Sequence, residues 1–155
     1  MASWFECKAK YEKMMENGAV KKVSEPYLVD ALSFTEAEAR IIEELTPFIS
    51  GEFTIDSVKR TRIKEIFWDD SADKWYQVKV AFITIDEKTA AEKKSVHIAL
   101  VAANDFRGAL DSFMEGMKST LADFDIIAIT ETPIMDVYKV KLGDTPKSAE
   151  TAKPE

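Results

Sequence analysis

The chain has 155 residues, 46% hydrophobic and 10% aromatic, enough to bury one sizeable core in a domain of ordinary size. Its formal charge of -7 argues against gross affinity for polyanions, and its single cysteine excludes an internal disulfide and zinc sites built on paired cysteines. No apolar run reaches about 18 residues, and the opening MASWFECKAKYEK lacks a basic-then-apolar secretion signal, so a soluble cytoplasmic protein with no membrane partner is expected.

In chain order, WFECKAKY at 4–11 alternates with a period of two. Phe5, Cys7, Ala9 and Tyr11 fall on one face, and Trp4, Glu6, Lys8 and Lys10 on the other, the pattern of a half-buried strand. MENG at 15–18 reads as a hairpin turn, and a second strand follows to about Val29. SFTE at 33–36 fits a capping box, opening a helix with a core stripe of Ala37, Ile41 and Leu45 that Pro47 ends. A long third strand is expected over Phe53–Trp68, bulged near Ser57 where the alternation changes phase. WDDSADKW at 68–75 reads as a solvated hairpin tip. Asp69, Asp70 and Asp73 lack the glycine and distal glutamate of a calcium loop, so no metal site is expected.

The second half repeats this order: a strand at 75–85, a turn within EKTAAEKK, a strand at 94–102, a helix at 106–121 and a strand near 125–138. The helix stripe is expected to be Leu110, Phe113, Met114, Met117 and Leu121. Residues 139–155 are polar, small and proline-bearing, and disorder is expected there.

WFECKAKY returns as WYQVKVAF at 75–82, and LVDALSFTEA at 28–37 returns as LVAANDFRGA at 100–109 with five of ten positions identical. A binary pattern alone would match apolar to apolar. It does not explain Trp4 with Trp75 or Lys8 with Lys79, which lie off the core face. The pattern predicts a single α+β domain at 1–138 built from a duplicated ββαβ unit, repeat 1 at about 3–68 and repeat 2 at about 74–138. The strands would form one continuous antiparallel sheet or two intertwined sheets, with both helices on one side. Cys7 aligns with Val78, which favours a small buried apolar role.

Charge is unevenly spread. The segments read as helical, 33–50 and 105–125, carry 3 basic and 9 acidic residues, whereas the strand segments 1–32, 51–68 and 74–102 carry 14 basic and 11 acidic. In VKRTRIKE at 58–65, a strand would set Arg60, Arg62 and Lys64 on one face at about 6.6 Å spacing, a match to phosphates along a backbone. Lys8, Lys10 and Lys79, with Trp4 and Trp75, would lie beside them. Cations interleaved with aromatics suit single-stranded DNA or RNA, with stacked bases and paired phosphates. The competing reading makes these charges guards of a sheet edge in a protein-interaction or assembly module that meets a copy of itself or another protein. His97 is the only histidine, and neither a nucleophile elbow nor a phosphate-cradling glycine loop occurs, so no catalysis and no cofactor are expected.

WFECKAKYEK, KKVSEPYLVDALSFTEAEARIIEEL, ISGEFTI and TPIMDV resemble the family catalogued as domain of unknown function 4494, of Bacteroidetes and their phages, over about residues 3–138. That resemblance implies a small cytosolic or phage protein and carries no site residues. The architecture of two strand-rich repeats with one helix each is also similar to the Whirly and Pur families. Their sheets bind single-stranded nucleic acid, so that likeness implies the same partner.

Overall fold

The computed structural model describes residues 3–139. Ten elements follow in order: β1 Ser3–Met14, β2 Val20–Ala31, α1 Phe34–Leu45, β3 Phe53–Arg60, β4 Ile63–Phe67, β5 Lys74–Ile85, β6 Glu92–Ala103, α2 Phe106–Met117, β7 Asp123–Thr132 and β8 Asp136–Tyr138. They form an α+β fold of two four-stranded sheets, ordered β3-β1-β2-β8 and β4-β6-β5-β7. The chain divides into two compact units, one of the described residues up to Thr61 with those from Asp136, the other of Arg62–Met135.

In the first unit, β1 and β2 pair antiparallel from Ser3 with Ala31 to Met14 with Val20. The predicted turn closes them. Gly18 takes a positive φ of 82°, open to glycine without a Cβ penalty, and the Met15 N–H donates to the Ala19 carbonyl at 2.8 Å. On the other side of β1, the register with β3 shifts between Lys8, which faces Ser57, and Ala9, which faces Ile55. Asp56 is therefore the bulge that the change of phase predicted. The second unit repeats it: Lys79 faces Ala128 and Val80 faces Ile126, leaving Ile127 as the bulge.

The long third strand is a correction. After Arg60 the chain leaves the first sheet, and β4 pairs parallel with β6 in the second. After Thr132 it leaves the second sheet, and β8 pairs parallel with β2 in the first. The spans expected as single strands, 53–68 and 125–138, are thus four strands, each sheet being completed by a strand from the other repeat. Matching hydrogen bonds fix both departure points. Thr61 Oγ1 and the Thr61 N–H donate to the Trp4 carbonyl at 2.8 Å each, and Thr132 Oγ1 donates to the Trp75 carbonyl at 2.8 Å. A further correction follows for 68–73: β4 and β5 are not neighbours, so this segment joins separated strands and is no hairpin tip.

Each helix packs one face on its own sheet. Ala37, Ile41 and Leu45 of α1 meet Phe5, Cys7, Ala9, Tyr27 and Val29. Ala109, Phe113 and Met117 are the buried residues of α2, and Phe113 and Met117 meet Val78, Val80, Ala99 and Val101. Both caps are present. Ser33 Oγ accepts from the Glu36 N–H at 3.1 Å while Glu36 Oε1 accepts from the Leu32 N–H at 2.9 Å, and Asp105 Oδ1 accepts from the Gly108 N–H at 2.7 Å. The second stripe needs correcting, because α2 ends at Met117. Leu121 lies beyond it and is fully exposed, and Met114 is 46% exposed.

The exchanged strand of the second unit is seated by one ring. A Cβ at Gly116 of α2 would lie 2.5 Å from Cε1 of Phe67 on β4, and the Phe67 ring meets Phe113 edge-on at 5.7 Å. In the first unit the corresponding residue of β8, Tyr138, stacks on Tyr27 at 6.2 Å. Gly116→Ala should therefore lower stability by about 1–2 kcal/mol in urea unfolding, because displacing Phe67 outweighs the helix-propensity gain of about 1 kcal/mol. An unchanged or raised midpoint would show that Phe67 does not hold β4 in place.

Candidate nucleic-acid interface

The eight residues expected to contact nucleic acid fall in both units: Trp4, Lys8, Lys10 and Arg60 in the first, Arg62, Lys64, Trp75 and Lys79 in the second. The expected stripe of Arg60, Arg62 and Lys64 does not form, since β3 ends at Arg60 and alternation does not carry across the departure. Arg60 lies opposite Phe5, on the helix side of its sheet, where its guanidinium covers the rings of Phe5 at 5.4 Å and Phe34 at 5.5 Å. Arg62 precedes β4, and Lys64 falls in the register shift between Ile63 and Glu65; both are exposed. Trp75 is only 9% exposed and meets Trp68 edge-on at 5.6 Å, so it offers no open stacking face. Lys79 is exposed on the side of its sheet away from α2, between Ile98 and Ala128.

The first unit does gather cations on the side of its sheet away from α1. Lys8 and Lys10 of β1 lie there with Trp4, which is half-buried. Lys59 of β3 faces Glu6, and Lys22 of β2 faces Glu12. Lys59, Lys8, Lys10 and Lys22 thus form one diagonal row over three strands, each step being about 7 Å by strand spacing. Among the described residues none of the four has a carboxylate at ion-pair distance, whereas Lys13 reaches Glu25 at 3.8 Å. Lys59 and Lys22 were not foreseen. The signal for Lys59 was the bulge, which moves Arg60 to the helix side and its neighbour to the other; the signal for Lys22 was the tight turn, which sets the register.

The row runs into an open groove of about 1060 Å³ at the hairpin end, whose lining includes Lys10, Lys13 and Lys22, the carboxylates Glu12 and Glu52, and Met14, Val20 and Phe48. Phe48, in the connection from α1 to β3, is 75% exposed and gives this end an aromatic face.

The Cys7 thiol and three phenols are partly or fully buried. Burial, with Glu6 and Glu38 adding to it, pushes the Cys7 thiol up to about 12. Glu25 Oε1 accepts from Tyr11 at 2.7 Å and Tyr27 at 3.2 Å; burial and this carboxylate push Tyr11 up to about 12 and Tyr27 higher still. Tyr138 is pushed up to about 12 by burial, then by Asp136 and Glu44. These phenols stay protonated at neutral pH, and those of Tyr11 and Tyr27 donate to Glu25. His97 lies edge-on to Phe82 at 5.0 Å, with Nε2 3.0 Å from Ser95 Oγ. Asp69 is held below the usual carboxylate range by hydrogen bonds from Ser71, and among the described residues no group of three ligands could hold a metal ion. No helix among them is long and apolar enough to cross a membrane.

Because neutral thiol and depth of burial both protect it, Cys7 should resist a soluble thiol reagent at pH 8 in the folded protein and react rapidly in denaturant. Fast stoichiometric labelling without denaturant would contradict that placement. No curated protein and no solved structure matches the chain. One family model, described as Domain of unknown function (DUF4494), matches residues 3–140, and the chain belongs to that family.

Proposed function

We propose that the protein is a non-catalytic, cytoplasmic binder of single-stranded nucleic acid that holds the phosphate backbone on the row Lys59, Lys8, Lys10 and Lys22. The observation that carries this reading is the row itself: four lysines, drawn from three adjacent strands onto one sheet face, without ion-pair partners among the described residues. No carboxylate is held at ion-pair distance from these four ammonium groups among the described residues, which leaves them available to a mobile polyanion. Glu6 and Glu12 flank the row and limit its field, which suits reversible binding at a few phosphates. At the hairpin end, Phe48 supplies an exposed ring on which a base can stack, at about 1–3 kcal/mol. Trp75 has no part in this reading because its ring is closed.

Anisotropy of a labelled oligonucleotide tests it. Binding at low salt should weaken as salt rises, with a logarithmic slope of about -3 for four phosphates on a single strand. The Lys8→Glu, Lys10→Glu double variant should lose about tenfold or more, while Arg60→Gln, on the helix side, should bind like the parent. Absence of binding at low salt, or equal losses in both variants with folding intact, would refute the proposed row.

A further inference from the structure

At its hairpin end the first sheet leaves a piece of strand edge open beside the lysine row. The bond from the Met15 N–H to the Ala19 carbonyl sets the phase of β1: odd-numbered residues exchange hydrogen bonds with β2, and even-numbered ones turn their peptide groups toward β3. Trp4 obeys this phase, its carbonyl accepting from Thr61 on that side. Pairing with β3 stops at Tyr11 with Phe53, and Gly51, at a φ of 90°, turns the connection from α1 just before that point. The N–H and C=O of Met14 therefore point together past the start of β3, into the groove that Met14 lines with Phe48, Glu12 and Glu52. Among the described residues neither group has a hydrogen-bond partner.

The exposed ring in this groove stands on a fixed backbone. The N–H groups of Phe48 and Ile49 both donate to the Leu45 carbonyl, at 2.9 and 3.0 Å, and Ile49 packs against the first core. Glu12 and Glu52 disfavour a phosphate here, whereas a base is uncharged. A peptide added as a strand would need several consecutive pairs, but the chain turns at Met15, so the open edge is one residue long. Nor does the scaffold demand these features. In the second unit the positions of the row carry Thr130, Lys79, Ala81 and Lys94, Ile85 stands where the first unit has Met14, and the connection KSTLA at 118–122 holds no ring. Ile83, Ile85 and Val96 make that end apolar, edged by Lys94 and Asp123. Resting on the reading of the lysine row as a phosphate track, we propose that the groove of the first unit is a base subsite. An unpaired nucleobase lies on Phe48 and gives its Watson–Crick edge to the N–H and C=O of Met14. Each base carries an adjacent donor and acceptor on that edge, and pairing in a duplex occupies both, so the subsite selects single strands.

Anisotropy with the full chain tests the proposal, using labelled probes of equal length and phosphate number. One is oligothymidylate, one an abasic strand, and one a strand of N3-methylthymine, which keeps the ring face and blocks the edge. Oligothymidylate should bind about tenfold tighter than the abasic strand, with the N3-methylated strand between them. Phe48→Ala should lower oligothymidylate binding to the abasic level and leave the affinity and salt slope of the abasic strand unchanged. Phe48→Trp should keep the preference, and circular dichroism of both variants provides the folding control. Equal, salt-dependent binding of oligothymidylate and the abasic strand overturns the subsite and leaves the lysine row standing. An N3-methylated strand that binds as tightly as oligothymidylate overturns it too, as does a folded Phe48→Ala variant that weakens both strands equally. No binding of any probe at low salt removes the row and the subsite together.

Discussion

Each four-stranded sheet in this protein depends on a strand that the other repeat supplies. The exchange begins at two threonines, which bond to the carbonyls of Trp4 and Trp75 and end the antiparallel ladder at the same point in both repeats. From there the chain must find a new partner, and the parallel pairing it makes is short. With three residues, β8 gains little from backbone hydrogen bonds, each worth about 1 kcal/mol net. Buried Val137 and the stacking of Tyr138 on Tyr27 supply the rest. On the other sheet β4 relies on Phe67, set over a glycine. Pairing residues 27–29 with 136–138 joins chain segments more than 100 positions apart, so folding is governed by non-local contacts and a high loop-closure cost.

Once the exchange is made, the two repeats are free to differ wherever side chains leave the core. Their helix-side faces stay alike, with Cys7 and Val78 or Ala9 and Val80 at equivalent buried positions. Their outer faces diverge: one carries a diagonal row of lysines, the other an apolar patch edged by lysine and aspartate. Duplication has thus kept the packing solution and varied the surface, the usual division between residues that determine a fold and those that carry function.

Much of the local structure was legible because it rests on short-range rules. Alternation in WFECKAKY, the turn at MENG, the caps at Ser33 and Asp105 and the bulge beside Ser57 each depend on neighbours within a few residues. Arg60 shows where such rules stop. Counting by twos from Arg60 through Lys64 assumes an uninterrupted strand, but the chain leaves the sheet at Thr61, and the bulge at Asp56 has already reversed the phase. Arg60 therefore covers Phe5 and Phe34, and Lys59 takes the place expected for it. Trp75 illustrates a second limit, since Trp4 and Trp75 occupy equivalent positions in the repeats, yet Trp4 is half-buried and Trp75, edge-on to Trp68, is buried.

By itself, the sequence determined the duplication, the helices and their caps, the paired hairpins and the buried thiol, because periodicity and turn chemistry are written in adjacent residues. Tertiary structure decided which strand completes which sheet and which lysines share a face. Those outcomes depend on partners far apart in the chain: β-strands of like pattern compete for the same edges, and contacts such as Phe67 on Gly116 and Tyr138 on Tyr27 select among them.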